Sequence, residues 1–189
     1  PYPCMDGNDN DEDGLVDYPY DPGCESTGDL TEDDLRSMRL AGFRATDDVS
    51  CTSSSDVVVI CVPTPLSDEG NPDLDAVVEA STNIGRNLKR GALVVLESTT
   101  YPGTTDQTVR PLLEQASGLV GGVDFFLAYS PERIDPGNPV YGFRNTPKIV
   151  GGLTPRCTEL AVAFFEQIVD TVVPTVGLGE AELAKLLEN

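Results

Sequence analysis

Carboxylates near the start of the chain are the first residues whose types and spacing could do chemistry. Asp9, Asp11 and Asp13 alternate along the sequence and a glycine follows, as in the first half of the calcium-loop pattern D-x-[DN]-x-[DN]-G. Alternate carboxylates converge on one hard cation, and glycine allows the sharp turn between ligands. Asp17 follows at the ninth loop position, but Tyr20 replaces the usual bidentate Glu at the twelfth. The spacing predicts a non-standard calcium site with Asp9, Asp11, Asp13 and Asp17 as metal ligands.

Two cysteines flank this acidic stretch at its two ends. The segment 4–24 resembles the short Asp-rich calcium repeats of extracellular bacterial proteins and is similar to thrombospondin type 3 repeats. Flanking cysteines commonly pair in those repeats, and the resemblance implies the same for Cys4 and Cys24. The alternative is a disordered acidic tail whose Asp spacing is accidental.

Charge and the remaining cysteines limit the possible partners. The 189 residues have a formal net charge of −20, and residues 1–34 hold twelve of the 32 acids and no base. An acidic surface repels phosphate backbones, so we expect no nucleic acid as a partner. No run of about 18 apolar residues is present, so we expect no membrane partner. Cys51, Cys61 and Cys157 are interpreted as buried or incidental thiols.

The rest of the chain alternates strand and helix signals that must position any site. Apolar, β-branched runs predict strands within 55–65, 92–99, 124–132, 147–152 and 171–177. Helices are expected over 71–91, 108–116, 154–169 and 180–189, the first with Asn71 as N-cap and Pro72 as its first residue. The third repeats this design from Thr154, and Leu160, Phe164, Phe165 and Ile168 form its predicted buried face. Strands separated by helices imply crossovers and a parallel sheet.

Ligands bind at the carboxyl ends of the strands in such sheets. The loops expected there are CVPTPL (61–66), ESTTYPGTT (97–105) and YSPERIDPGNP (129–139). Together with PKIVGG (147–152) and EAELAKLLEN (180–189), they resemble the nucleotide-sugar 6-dehydrogenases, the UDP-glucose/GDP-mannose dehydrogenase family, over residues 39–189. Members of that family oxidise the C6 alcohol of a UDP-sugar twice with NAD, through a cysteine thiohemiacetal, to the uronic acid. The resemblance implies NAD as cofactor, a nucleotide-sugar substrate, a cytoplasmic location and homo-oligomers.

The resemblance also implies roles for individual residues. Thr99, Glu132, Lys185 and Asn189 would be catalytic: Thr99 would position a water, and Lys185 and Asn189 would stabilise oxyanion character at C6. Cofactor-binding residues would be Val62, Pro63, Thr64, Pro65, Ser98 and Thr99. Substrate-binding residues would be Glu132, Arg133, Ile134, Asp135, Pro136, Gly137 and Asn138. The structural alternatives are that Thr99 simply ends a strand and that Lys185 is a solvated helix lysine. Arg144 and Lys148 either contact phosphate or lie at the surface.

Two parts of the family pattern are missing from the sequence. A dinucleotide site needs a G-x-G-x-x-G turn, and the nearest stretch, GLGEAE (177–182), has Glu182 where a glycine is required. A carboxylate there would repel pyrophosphate. The sequence contains no His, so the GGHC motif that carries the family's nucleophile is absent.

The expected fold class is therefore α/β, an incomplete doubly wound parallel (Rossmann-like) sheet with an irregular acidic N-terminal segment. The expected divisions are an acidic segment and linker (1–38), the C-terminal part of a Rossmann NAD-binding domain (39–178) and the start of a connecting helix (179–189). We expect a fragment or fusion that binds NAD poorly and is inactive in isolation. The form SPERxxPGN favours the UDP-N-acetylhexosamine branch. The alternative is an extracellular calcium-binding or interaction module on a degenerate α/β scaffold.

Overall fold

The computed structural model describes residues 37–66, 72–133 and 140–188. The chain divides into two units, Pro1–Asp47 and Asp48–Asn189. In the first unit, a short helical stretch at 37–40 ends in a turn at Gly42, whose φ of 103° suits glycine. Within the described ranges, no helix is both long and apolar enough to cross a membrane.

The second unit contains a five-stranded sheet with helices on both faces. The strands, in their order across the sheet, are β1 (Val57–Ile60), β2 (Leu93–Leu96), β3 (Phe126–Tyr129), β4 (Lys148–Gly152) and β5 (Val172–Pro174). The helices are α1 (Asp75–Asn87), α2 (Arg110–Ser117), α3 (Pro155–Phe165) and α4 (Leu178–Glu188). A 3-10 helix (Val49–Ser54) precedes β1, and a π-helical turn (Thr105–Val109) runs directly into α2. The predicted α/β class is confirmed.

The sheet is mostly parallel, but one strand runs against the others. β1, β2 and β3 are parallel, β4 is antiparallel to β3, and β5 is parallel to β4. The prediction of a wholly parallel sheet is therefore wrong at β4. The reason is that no helical crossover separates β3 from β4 in the described part of 130–147, so β4 starts from the edge at which β3 ends. The first residue of β4 consequently lies beside the carboxyl ends of β1–β3.

The interior strand β2 shows why the helices lie on both faces. All four of its residues are buried, and successive side chains point to opposite faces. Val94 and Leu96 pack in a cluster with residues of α1, α2 and α4, whereas Leu93 and Val95 pack in a second cluster with residues of α3. A strand that is apolar on both faces requires cover on both, which is the doubly wound arrangement.

The first helix is shorter at both ends than the sequence predicts. It begins at Asp75, whose N–H donates to Asp73 Oδ1 at 2.9 Å. Pro72 is not its first residue, because Pro72 forms an isolated antiparallel bridge with Leu66. Asn71 lies outside the described residues. The helix ends at Asn87, before the expected terminator Gly91.

The third helix begins as predicted but buries a different face. Thr154 accepts a hydrogen bond from Cys157 N–H at 3.2 Å, and Pro155 is the first helical residue. The buried residues are Cys157, Ala161 and Phe165, so only Phe165 belongs to the predicted face. Small side chains at the other two positions let the start of α3 lie close to the sheet, where Gly152 leaves room for its backbone.

A buried carboxylate joins α4 to the turn that follows β2. Glu182 is fully buried and accepts hydrogen bonds from Gly103 N–H (2.6 Å), Thr105 N–H (2.9 Å) and Thr105 Oγ1 (2.6 Å). The N–H groups at the start of a helix have no intrahelical partner, and a carboxylate is favoured there. Glu182 therefore acts as a helix cap supplied from a distant part of the chain.

We predict that Gly152→Ala lowers the free energy of unfolding by about 3 kcal/mol. A Cβ at this position would lie 2.2 Å from Thr158 N and 2.7 Å from the Cys157 carbonyl carbon, both backbone atoms of α3. Urea denaturation would measure the loss. The matched control is Gly179→Ala, because a Cβ there meets no atom within 4 Å. In the control, the free energy of unfolding is expected to rise by up to about 1 kcal/mol. Equal stability of the two variants would contradict the packing argument.

We predict that Glu182→Ala destabilises the protein by about 3 kcal/mol, because it leaves buried donors of Gly103 and Thr105 without an acceptor. Glu182→Gln keeps one acceptor oxygen and should recover part of the loss. The exposed Glu180 lies on the same helix, and Glu180→Ala should change stability by less than about 1 kcal/mol. The check is thermal or urea unfolding of all three variants. Similar values for Glu182→Ala and Glu180→Ala would show that the cap contributes little.

Candidate functional site

The carboxyl ends of β1, β2 and β3 enclose an open cleft. Its volume is about 300 Å³, and it is lined by Cys61, Val62, Pro63, Thr64, Glu97, Ser98, Thr99 and Glu132. Parallel strands end at one edge of a sheet, which is why loops far apart in sequence meet here. The cleft thus brings together five of the six residues predicted to bind cofactor, with Glu132 from the predicted substrate loop. Pro65 is exposed and does not line the cleft.

Two side-chain hydrogen bonds fix the loops after β1 and β2 to each other. Thr64 Oγ1 donates to the Thr99 carbonyl at 2.6 Å, and Ser98 Oγ donates to the Val62 carbonyl at 2.7 Å. Ser98 is buried, whereas Thr99 is exposed. The Ser98 hydroxyl is therefore engaged in holding the β1 loop, and Thr99 is the more accessible of the two.

A buried ion pair, which sequence reasoning did not find, joins the lining residue Glu97 to Lys148 on β4. Lys148 is 5% exposed, and its Nζ lies 2.8 Å from Glu97 Oε1, 3.9 Å from Glu132 Oε2 and 5.2 Å from the centroid of the Phe165 ring. The interpretation of Lys148 as a surface residue is wrong, whereas Arg144 is exposed and pairs with Asp170 at 3.2 Å. The sequence signal that could have revealed the ion pair was a charged residue at the end of an apolar run. When such a strand is buried, the charge needs an oppositely charged partner.

Cys61 lines the same cleft next to this pair. Of the three thiols interpreted as buried or incidental, Cys157 is buried, whereas Cys51 and Cys61 are exposed. The Cys61 thiol donates to Glu97 Oε2 at 3.5 Å. Although the residue as a whole is exposed, burial of the thiol against its neighbours and then the Glu97 carboxylate raise the pKa of Cys61 to about 11. The thiol is protonated at neutral pH and is a weak nucleophile there.

Glu132 is held from several sides. Its Oε1 accepts a hydrogen bond from Arg133 N–H at 2.6 Å, and its carbonyl accepts one from Lys185 Nζ at 2.7 Å. Arg133 Nη1 donates to the Pro147 carbonyl at 2.8 Å. Lys185 is half-buried, so it is not a solvated helix lysine. α4 thus reaches the loop after β3 and brings Lys185 to the predicted substrate side of the cleft.

A second cavity shows why GLGEAE makes a poor phosphate site. About 340 Å³ in volume, it lies at the starts of α3, α4 and the π-helical turn, and is lined by Gly177, Gly179, Asp106, Glu180 and Glu182 among others. The carboxylates give this cavity the wrong charge for a pyrophosphate. Glu182 is also already occupied as a helix cap.

Several predicted residues lie outside the described part of the chain. They are the substrate-loop residues Ile134, Asp135, Pro136, Gly137 and Asn138, the catalytic Asn189, the calcium ligands Asp9, Asp11, Asp13 and Asp17, and the pair Cys4 and Cys24. Their roles stay predictions. Within 37–66, 72–133 and 140–188, no group of three or more His, Cys, Asp or Glu residues could hold a metal ion.

Comparison with known proteins gives a consistent result. Residues 28–169 match the family model described as "UDP-glucose/GDP-mannose dehydrogenase family, NAD binding domain". UDP-N-acetyl-D-glucosamine 6-dehydrogenase of Pseudomonas aeruginosa is 36% identical over 168 residues, which cover 88% of this chain and 39% of that protein. UDP-N-acetyl-D-mannosamine dehydrogenase of Pyrococcus horikoshii is 38% identical over 152 residues, 80% of this chain and 36% of that protein.

A solved structure shares both fold and sequence with this chain. NDP-N-acetyl-D-galactosaminuronic acid dehydrogenase from Methanosarcina mazei superposes with a TM-score of 0.75 at 36% identity, covering 81% of this chain and 33% of that one. The chain thus spans between 33% and 39% of the length of these three relatives. The resemblance drawn from the loops is confirmed: the chain belongs to the UDP-glucose/GDP-mannose dehydrogenase family, and its matched residues are those of the NAD-binding domain.

Proposed function

We propose that this chain is part of an NAD-dependent nucleotide-sugar 6-dehydrogenase that converts the C6 alcohol of a UDP-linked sugar to the uronic acid. The observation that carries the proposal is the cleft where the loops after β1, β2 and β3 meet. Its volume of about 300 Å³ lies at the lower end of the range for small-molecule sites. That size suits the nicotinamide and ribose half of NAD, so the residues present fit part of the cofactor.

In this proposal, some residues of the cleft bind the cofactor and others take part in the reaction. Val62, Pro63 and Thr64 would form the surface beneath the ribose and nicotinamide, and Ser98 would keep that loop in place through its bond to Val62. When bound, NAD would accept hydride from the sugar C6. The exposed Thr99 would orient the water needed for the second oxidation. Proline and hydrogen-bonded loop residues keep this surface rigid, which lowers the entropic cost of binding.

The sugar side of the cleft would be formed by the loop after β3 and by α4. Glu132 lines the cleft, and its backbone carbonyl accepts a hydrogen bond from Lys185 Nζ. This contact supports the proposal that both residues act on the sugar side. An ammonium at that point would stabilise negative charge developing at the C6 oxygen. The pattern SPERxxPGN and the sugars named for the two relatives support an N-acetylhexosamine as the sugar.

The remaining parts of the proposal come from the family. They are a cytoplasmic location, assembly into homo-oligomers and the division of the chain at residues 38 and 178. The extracellular alternative depends on the calcium loop at Asp9–Asp17 and on pairing of Cys4 with Cys24, and calorimetry with calcium plus a non-reducing thiol count would test it. No heat and five free thiols would eliminate that alternative.

We predict that the chain alone produces no NADH from NAD and UDP-N-acetylglucosamine, because its sequence lacks G-x-G-x-x-G and GGHC. A chimera in which residues 48–189 replace the matching stretch of the Pseudomonas aeruginosa relative should produce NADH. In that chimera Thr99→Ala should lower kcat about 100-fold, whereas Thr82→Ala, on α1 away from the cleft, should not. NADH absorbance measures turnover by the chain alone, the chimera and the two variants of the chimera. Turnover by the chain alone would refute the first expectation, and a folded but inactive chimera would refute the proposed function.

A further inference from the structure

The ammonium of Lys148 is shared by carboxylates from two different elements. Glu97 directly follows β2, and Glu132 belongs to the loop after β3. The Nζ atom lies 2.8 Å from Glu97 Oε1 and 3.9 Å from Glu132 Oε2, so the first contact is an ion pair at hydrogen-bond distance and the second is longer. The antiparallel entry of β4 places Lys148 between them.

The two carboxylates differ in their exposure, and this difference assigns them different tasks. The Glu97 side chain is 14% exposed and that of Glu132 is 44% exposed. Glu97 therefore neutralises the buried ammonium, as a charge in the interior requires. The Glu132 carboxylate lies on the solvent side of the ammonium and lines the cleft.

We propose that Lys148, anchored by Glu97, is a positioning residue that holds the Glu132 carboxylate in the cleft. The inference rests on the role in catalysis proposed for Glu132. Lys148 touches no substrate in this arrangement and acts through Glu132. The Phe165 ring gives the Lys148 ammonium a further contact, because Nζ lies over the ring, 5.2 Å from its centroid, within cation–π range.

A purely structural role for the ion pair would predict something different. If the ion pair only linked β2 to β4, it would involve Glu97 and Lys148 alone. Its loss would then change amide exchange equally throughout the sheet. A positioning role requires Lys148 to be coupled to Glu132 in particular. The Arg133 N–H reports on this coupling, because it donates to Glu132 Oε1 at 2.6 Å.

The first test is amide hydrogen exchange of the 189-residue chain, followed by NMR at Arg133. Lys148→Met should accelerate Arg133 exchange about tenfold beyond any change at core amides, because a hydrogen bond to a charged group is weakened when its acceptor moves. Lys148→Arg keeps the charge and should restore most of the protection. Lys89→Met removes a lysine from an exposed pair with Asp56 and should leave Arg133 unchanged.

A double-mutant cycle makes this test specific to Glu132. In a Glu132→Gln background, Lys148→Met should no longer alter Arg133 exchange, because the charged acceptor is gone. If Lys148→Met does not fold, Lys148→Gln takes its place in the cycle. Equal acceleration with and without Glu132, or no acceleration at all, would overturn the proposal. Neither result would bear on the proposed function, since no cofactor or sugar is involved.

The second test is the pH profile of Cys61 alkylation by iodoacetamide, in a chain with Cys4, Cys24 and Cys51 changed to Ser. The charged groups that face the Cys61 thiol are Glu97, Lys148 and Glu132; the two carboxylates raise its pKa and the ammonium lowers it. Glu97→Gln should therefore shift the profile to lower pH and Lys148→Met to higher pH. Loosening of the fold would speed alkylation in both variants, and that result would contradict the proposal.

Discussion

The three parallel strands β1–β3 must end at the same edge of the sheet, and the site depends on this constraint. Their loops supply the apolar floor of the cleft, the Ser98 and Thr99 pair and the Glu132 loop. The strand that breaks the pattern, β4, adds what parallel strands alone could not: its first side chain enters from the edge at which the others leave. One exception to the parallel order therefore brings the Lys148 ammonium next to Glu97 and Glu132, the two carboxylates that line the cleft.

Two buried charged side chains have different structural roles in the unit Asp48–Asn189. Glu182 satisfies backbone donors where the chain turns into a helix, and Lys148 neutralises a carboxylate that follows a fully apolar strand. Each is supplied by an element remote in sequence from its partners. Burying a charge is favourable only when its hydrogen-bonding capacity is met, so both contacts fix the relative placement of elements more strictly than apolar packing would.

Local sequence patterns predicted which helices and strands form better than they predicted where these elements begin and end or which side chains pair. The apolar runs located all five strands, and Thr154 followed by Pro155 located the start of α3. The start of α1 was misplaced because Asp73 N–H donates to the Pro65 carbonyl, which draws the segment before the helix back toward the β1 loop. The cofactor loops were recognised as a set, but the Glu97–Lys148 pair follows from an antiparallel register that no local pattern encodes.

The order of the strands across the sheet is the same as their order along the chain. Each strand of this sheet therefore pairs only with the strand before or after it in the sequence. Such a topology has low contact order for an α/β sheet, so the search for native pairings is short and assembly can proceed from one hairpin or crossover to the next. The compact unit Asp48–Asn189 is thus built on strand pairings between neighbours in sequence.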